Sequence, residues 1–148
     1  MATIRTATEH DIPHILELYR QLSFHPEEHK VPPLKDCRKV FAAASKIPGY
    51  SLLVAEENGE VIGTTVLAIL PGMAHGTAPF AVIEYVVVDE KCRSKGIGKL
   101  LMEYCLESAK EAGCYKVMLT SDKKRERAHE FYRSLGFEAS AHGFRYYF

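Results

Sequence analysis

The sequence has no excess of charge of either sign, no long apolar run and no paired cysteines, and each absence narrows what the protein can be. Its 19 basic and 19 acidic residues cancel, whereas proteins that bind nucleic acid normally carry a strong basic excess. No run approaches the roughly 18 apolar residues that a membrane span requires. The N-terminus also lacks the charged and then apolar pattern of a signal peptide. We therefore expect a cytoplasmic protein that binds neither nucleic acid nor a membrane.

Metal binding is not predicted either. The four cysteines are Cys37, Cys92, Cys105 and Cys114, and they form no CxxC pair and no ligand-like spacing. Because disulfides are rare in reducing compartments, we expect free and mostly structural thiols. The segment 25–29 holds two histidines and two glutamates, but Pro26 stands where the zinc-protease helix pattern requires Glu. No metal site is therefore expected.

A chain of 148 residues is long enough for one domain with its own hydrophobic core, and we expect a single domain over residues 1–148. Helical periodicity predicts helices over 12–22 and 34–45. Asn58-Gly59 between two apolar runs predicts a hairpin of strands 51–56 and 61–70. The most apolar run, 81–88, is predicted to be a central strand that is buried on both faces. Together these patterns indicate an α/β fold.

The second half continues this alternation. A helix follows Gly98 and ends at Gly113, which has the position of a C-cap glycine. A strand over 117–119 and a helix over roughly 126–135 come next. Phe137 and the segment 144–148 are predicted to close the chain as a hairpin-like pair.

One glycine-bearing segment between a strand and a helix is typical of phosphate binding. Glycine lets a backbone approach a ligand closely, and the first amides of a helix have no partner within it and lie at the positive end of its dipole. Neither the Walker pattern nor the dinucleotide fingerprint is present. The alternative is a tight strand-to-helix turn with no ligand. The residues of the segment are Arg93, Ser94, Lys95, Gly96, Ile97, Gly98 and Lys99.

A second motif, Phe-Tyr-Arg-Ser-Leu-Gly-Phe over 131–137, completes a pattern that covers nearly the whole chain. With both motifs in this order, the sequence resembles the GCN5-related N-acetyltransferase (GNAT) superfamily. The resemblance implies a mixed sheet of six to seven strands, about four helices, splayed central strands, and acetyl-coenzyme A as co-substrate. Segments 83–88 and 113–117 are similar to glucosamine-6-phosphate acetyltransferases. Segments 124–132 and 142–144 are more similar to aminoalkylphosphonate acetyltransferases.

The resemblance implies that the cofactor arm pairs with the backbone of Val86, Val87 and Val88 between the splayed strands. The amide of Val87 or Val88 would then donate to the thioester carbonyl and stabilise the charge that develops there. The alternative is a plain apolar core strand. The side chains are core in both cases, so the hypothesis concerns the backbone alone.

Two side chains are candidates for proton transfer. Tyr132 matches the family's general acid, which protonates the departing thiolate; otherwise it is a buried aromatic beside Phe131. Glu84 interrupts an apolar strand, and a buried carboxylate there would act as the base that deprotonates the amine. The alternative is a structural Glu84 bonded to a neighbouring backbone group or arginine.

Two positions depart from the family pattern. Tyr85 occupies a position that is usually acidic in the glucosamine phosphate enzymes. Arg125 replaces an asparagine that commonly touches the cofactor, and it belongs to a basic run over 123–127. This run would attract the cofactor or an anionic acceptor, or it is a solvated helix face.

The acceptor site is expected to involve variable loops. The candidate residues for contact with the acceptor are Tyr19, His25, His29, Tyr85 and His129.

The predicted function is direct acetyl transfer in a ternary complex to the primary amine of a small molecule. One alternative is a protein lysine or N-terminal acetyltransferase, and another is a non-catalytic acyl-coenzyme A sensor. Family members often dimerise, so the aromatic tail 146–148 is expected to belong either to a homodimer interface or to the core.

Overall fold

The computed structural model describes every residue from Met1 to Phe148. The residues group into two compact units, Met1–Met118 and Leu119–Phe148. The single domain over 1–148 stays a prediction, and each unit is described by itself below.

The first unit is built on a five-stranded mixed sheet in which the strands lie in chain order. The first four strands pair antiparallel, and the fourth and fifth pair parallel. The strands are β1 (Thr3–Thr6), β2 (Tyr50–Glu57), β3 (Glu60–Leu70), β4 (Phe80–Val88) and β5 (Val117–Met118).

The helices agree with the periodicity of the sequence. The helices are α1 (Ile12–Leu22), α2 (Leu34–Ala44), α3 (Ile97–Glu111) and α4 (Glu126–Ser134). Helix α4 belongs to the second unit. No helix of the structure combines the length and the apolar composition that a membrane span requires.

Helices α1 and α3 cover opposite faces of the sheet. Val54 of β2 packs with Ile15 of α1, whereas the next residue, Ala55, packs with Ile97 and Leu101 of α3. Successive residues of a strand point to opposite faces, so each helix has its own face. Burial on the α3 side raises the pKa of the Cys105 thiol to about 12, as expected for a structural cysteine.

The β2–β3 hairpin confirms the prediction from Asn58-Gly59. Both residues have positive φ, at 52° and 79°. This is the conformation that the tight primed turns of hairpins require, and Asn and Gly adopt it at low cost.

An ion-pair network ties β1 to its neighbours. The Arg5 guanidinium donates to Asp11 at 2.7 and 3.0 Å and to Glu56 at 2.6 Å. The Thr8 backbone N–H also donates to Asp11, at 2.7 Å. The hydrogen bonds to Asp11, above all that from Arg5 and then that from Thr8, lower the pKa of the Asp11 carboxyl. The network fixes the approach of β1 to α1.

The predicted six to seven strands are wrong, because the structure has five. The hairpin-like pair expected from Phe137 and the segment 144–148 contains no strand. An aromatic sequence favours strands only when a neighbouring strand satisfies its backbone groups. The side chains of Phe144, Tyr146, Tyr147 and Phe148 are instead exposed.

Candidate active site

Strand β4 carries a bulge where its sequence turns polar. Its pairing with β3 passes from Val66↔Glu84 to Thr64↔Val87. Two residues, Tyr85 and Val86, therefore lie opposite Thr65, and Tyr85 has a φ of 54°. The Thr65 hydroxyl donates to the Glu84 carbonyl at 3.1 Å. A bulge of this kind bends a strand and redirects its side chains.

The bulge corrects the expectation that 81–88 is buried on both faces. Glu84 and Tyr85 are exposed, whereas Ile83 and Val87 are buried. The extra residue breaks the strict alternation of the strand and turns both side chains outward. Glu84 is thus not the buried carboxylate that its apolar neighbours suggested.

The edge of β4 that faces β5 is open for most of its length. Strand β5 pairs with β4 only at Ala81↔Val117 and Val82↔Met118. From Ile83 onward, β4 therefore has no strand partner on this edge. This gap agrees with the splayed central strands expected from the sequence.

The backbone directs one amide of residues 86–88 to this open edge. The Asp89 N–H donates across the pair to the Ile62 carbonyl of β3, at 2.9 Å. Because the N–H groups of successive strand residues point to alternate edges, the Val88 N–H points away from β3 and the Val87 N–H toward it. The Val88 carbonyl lies on the open edge too and accepts from Arg93 Nε at 3.1 Å.

The glycine turn follows directly and is exposed. Gly96 is the N-cap of α3 with a φ of 83°, and a Cβ placed there would have no heavy atom within 4 Å. Ser94 also has a positive φ, at 64°. Four consecutive residues of the turn are exposed. They are Arg93, Ser94, Lys95 and Gly96.

The first amides of α3 are available as donors at this turn. The first hydrogen bond within the helix runs from the Leu100 N–H to the Gly96 carbonyl, at 3.0 Å. The amides of Ile97, Gly98 and Lys99 precede it and have no acceptor within the helix. They lie at the positive end of the dipole of a 15-residue helix. The turn is thus open, rich in donors and flanked by basic side chains, which suits a diphosphate.

Three of the predicted acceptor residues line a single cavity in the first unit. Tyr19, His29 and Tyr85 belong to its wall, and the rings of Tyr19 and Tyr85 are 5.4 Å apart. Burial raises the pKa of the Tyr19 hydroxyl. His25 is absent from this wall and lies exposed near Glu27, 3.8 Å away.

The rest of the cavity wall was not predicted from the sequence. Helix α2 contributes Asp36 and four further residues that share one face. Their i, i+3, i+4, i+7 spacing is the signal that was available, because it marks one continuous helix face. The residues are Cys37, Val40, Phe41 and Ala44.

The second unit holds Tyr132, Arg125 and His129. Tyr132 is half-buried, and its ring lies 5.3 Å from Phe131 and 5.9 Å from Phe137. Burial raises the pKa of its hydroxyl, and Arg125 opposes that rise. A raised pKa keeps the hydroxyl protonated, so it can donate. The His129 ring nitrogen Nε2 lies 2.8 Å from the Asp122 carbonyl, so this nitrogen is already engaged within its own unit.

No group of three His, Cys, Asp or Glu side chains is arranged to hold a metal ion.

Comparison with known proteins identifies the family. The model of the acetyltransferase (GNAT) family matches residues 12–137. The chain belongs to the GNAT acetyltransferase family. The resemblance stated from the two motifs is therefore confirmed, and so is the enzyme class, an N-acetyltransferase.

Relatives of this GNAT chain include members of both subfamilies suggested by its sequence. A glucosamine 6-phosphate N-acetyltransferase of Trypanosoma brucei brucei is 33% identical over 92% of this chain and 88% of its own length. An aminoalkylphosphonate N-acetyltransferase of Salmonella typhimurium is 32% identical over 70% of this chain and 66% of its own.

A solved structure supports the fold. The putative acetyltransferase of Agrobacterium tumefaciens str. C58 is 35% identical and superposes with a TM-score of 0.91. The comparison covers 98% of this chain and 99% of that one.

Proposed function

We propose that this GNAT chain transfers the acetyl group of acetyl-coenzyme A to the primary amine of a small molecule, by direct attack in a ternary complex. The observation that carries the proposal is the exposed turn at Gly96, where three helix amides without intrahelical acceptors follow the open edge of β4. A diphosphate and a pantetheine arm need these two features in this order.

The residues present fit coenzyme A. Three amides and the helix dipole favour a diphosphate at Gly96, and Arg93 and Lys95 add positive charge at the exposed turn. A larger residue at Gly96 would have to adopt a strained φ. Bound acetyl-coenzyme A supplies the activated acetyl group, and the chain has to position it.

The open edge of β4 suits the arm and the thioester. Backbone groups of residues 86–88 would pair with the amides of the arm as a strand would. The Val88 N–H, which points to this edge, is the better candidate of the two amides for the thioester carbonyl. When the amine attacks, this oxygen gains negative charge, and a fixed donor there contributes on the order of 10²-fold in rate.

The reaction needs one group that accepts a proton and one group that donates a proton. The attacking amine starts as an ammonium with a pKa near ~10 and must lose a proton, for which Glu84 on the bulge is the candidate acceptor, directly or through water. The departing thiolate gains a proton, for which Tyr132 is the candidate donor. Both assignments are proposals that variants can test.

The alternatives are separated by one assay. Purified protein is mixed with acetyl-coenzyme A and either no acceptor, a panel of small amines, or a lysine-bearing peptide with a free N-terminus, and thiol release is followed. We expect release that depends on a small amine. Release with the peptide alone would favour a protein acetyltransferase. Tight binding of acetyl-coenzyme A without release under any condition would favour the sensor.

A further inference from the structure

A large apolar cavity lies between α1, α2 and the adjoining strands of the first unit. Its volume is about 720 Å³, within the roughly 300–1,000 Å³ that ligand pockets usually enclose. Tyr50 and Leu52 of β2 form its floor together with side chains of both helices. The cavity is therefore large enough for a small organic molecule.

The wall of the cavity has a definite chemical character. It contains no lysine and no arginine, Asp36 is its only carboxylate, and His29 is its only histidine. The remaining wall is mainly aliphatic and aromatic, with the tyrosine hydroxyls and a few other polar groups. A phosphate or phosphonate in such a wall would lose its hydration with no lysine or arginine to pair with, which is unfavourable. An ammonium and an apolar body are compatible with it.

Helix α2 leaves apolar surface for a ligand to cover. None of its residues is fully buried. Val40 is 67% exposed although it belongs to the cavity wall, and Phe41 is only half-buried. Covering such a face removes apolar area from water, which is favourable.

One residue joins this cavity to the reacting edge of β4. Tyr85 lines the cavity and is also the positive-φ residue of the bulge. Its neighbours in the chain are Glu84, the candidate base, and Val86, the first of the three residues proposed to pair with the cofactor arm. A ligand that fills the cavity would therefore have its Tyr85 end at the bulge, on the strand that leads to the position proposed for the thioester.

We propose that the acceptor is a primary amine with an unbranched alkyl or aromatic body, and that this body fills the cavity while the amino group lies at the Tyr85 end. The inference rests on the proposed acetyl transfer and names its substrate class. It predicts that anionic amines are the poorer acceptors.

A series of n-alkylamines from ethylamine to hexylamine tests the inference. With saturating acetyl-coenzyme A, kcat/KM for each amine is measured by thiol release. Burial of each added methylene should raise kcat/KM by about fourfold until the cavity is full. 2-Phenylethylamine should exceed ethylamine by at least about 100-fold. Glucosamine 6-phosphate and 2-aminoethylphosphonate are assayed in parallel and should fall below hexylamine.

Two alanines of α2 provide a matched pair of variants. Ala44 lines the cavity, whereas Ala43 is exposed and outside its wall. Ala44→Phe should fill the space, lower kcat/KM for hexylamine and 2-phenylethylamine by about 10-fold or more, and leave the value for ethylamine nearly unchanged. Ala43→Phe adds the same side chain to the same helix and should change none of these values.

The outcomes separate this inference from the proposed function. A flat alkylamine series together with faster acetylation of the phosphate or phosphonate amines would overturn the inference and leave the acetyl transfer standing. Equal losses for ethylamine and hexylamine in Ala44→Phe would also overturn it. Failure of every amine to release thiol would overturn both.

Discussion

The glycine turn before α3 and the cavity beside α2 are two proposed binding regions that differ in the groups they offer a ligand. The turn offers backbone amides and a helix dipole, and its ligand contacts require few particular side chains. The cavity offers a wall of mainly apolar side chains. The difference teaches that a diphosphate can be held mainly by backbone groups, whereas the choice of acceptor depends on the side chains of a wall.

The largest effect is expected when a negative charge is placed in the turn. Gly96→Asp should weaken coenzyme A binding by at least about 100-fold, because the carboxylate repels the diphosphate and occupies its donors. Calorimetry with coenzyme A measures this change. Binding of n-hexylamine to the cavity should be unaffected.

The other end of α3 supplies the control. Gly113 has a φ of 81°, close to the 83° of Gly96, and a Cβ there also has open space. Gly113→Asp thus imposes similar backbone strain without charge at the turn. If both variants lost coenzyme A equally while remaining folded, the turn would not be the diphosphate site.

Tyr132→Phe should have the next largest effect. The variant keeps the ring contacts with Phe131 and Phe137 and removes only the hydroxyl. We expect kcat to fall by about 10²-fold, the lower range for general acid catalysis, with little change in coenzyme A affinity. Tyr146→Phe, at an exposed tyrosine, is the matched control. An unchanged kcat in Tyr132→Phe would remove the proposed acid.

Asp11→Asn tests the ion pair with Arg5 through the pH dependence of the protein's stability. Arg5 holds the pKa of Asp11 below its usual range, so the folded state is stabilised while the carboxyl is ionised. Above about pH 5 the variant should be less stable by about 1–3 kcal/mol, and the difference should shrink as the pH falls through and below ~4.

Urea unfolding of the wild type and Asp11→Asn at several pH values measures this difference. Glu17→Gln removes the exposed pair with Arg20 and should change stability much less. A difference for Asp11→Asn that stays constant between pH 7 and pH 3 would contradict the ion-pair explanation.

The smallest effect concerns two cysteines, one in the cavity wall and one on the buried side of α3. Cys37 lies in the cavity wall, whereas Cys105 is a buried residue of α3 whose pKa is raised to about 12. In the folded protein, a thiol reagent should modify Cys37 measurably faster, since only thiolates react. Hexylamine should slow the modification of Cys37. Equal modification of Cys105 in the native state would contradict the described packing.

Much of the turn could be predicted from sequence, and little of the cavity. The Asn58-Gly59 hairpin and the Gly96 turn depend on local backbone preferences, which can be inferred from the residue types at these positions. The bulge at Tyr85 could not be predicted, because an apolar run contains no signal for a non-glycine residue with positive φ. It is the bulge that exposes Glu84, contrary to the expectation of a buried carboxylate.

The two remaining differences have tertiary causes. The spacing of Cys37, Val40, Phe41 and Ala44 fits one face of α2, but it does not specify that this face lines a cavity instead of packing tightly. The aromatic residues of 144–148 suggested a strand, but strand formation depends on a partner that local sequence does not specify.

The most direct test of the central claim follows the backbone amides during binding. Coenzyme A is titrated into ¹⁵N-labelled protein, and the amide shifts of all assigned residues are recorded. The account predicts that Ile97, Gly98 and Lys99 are among the residues with the largest shifts, and that dephospho-coenzyme A, which keeps the diphosphate, reproduces them. Saturable binding that leaves these three amides unchanged would contradict it.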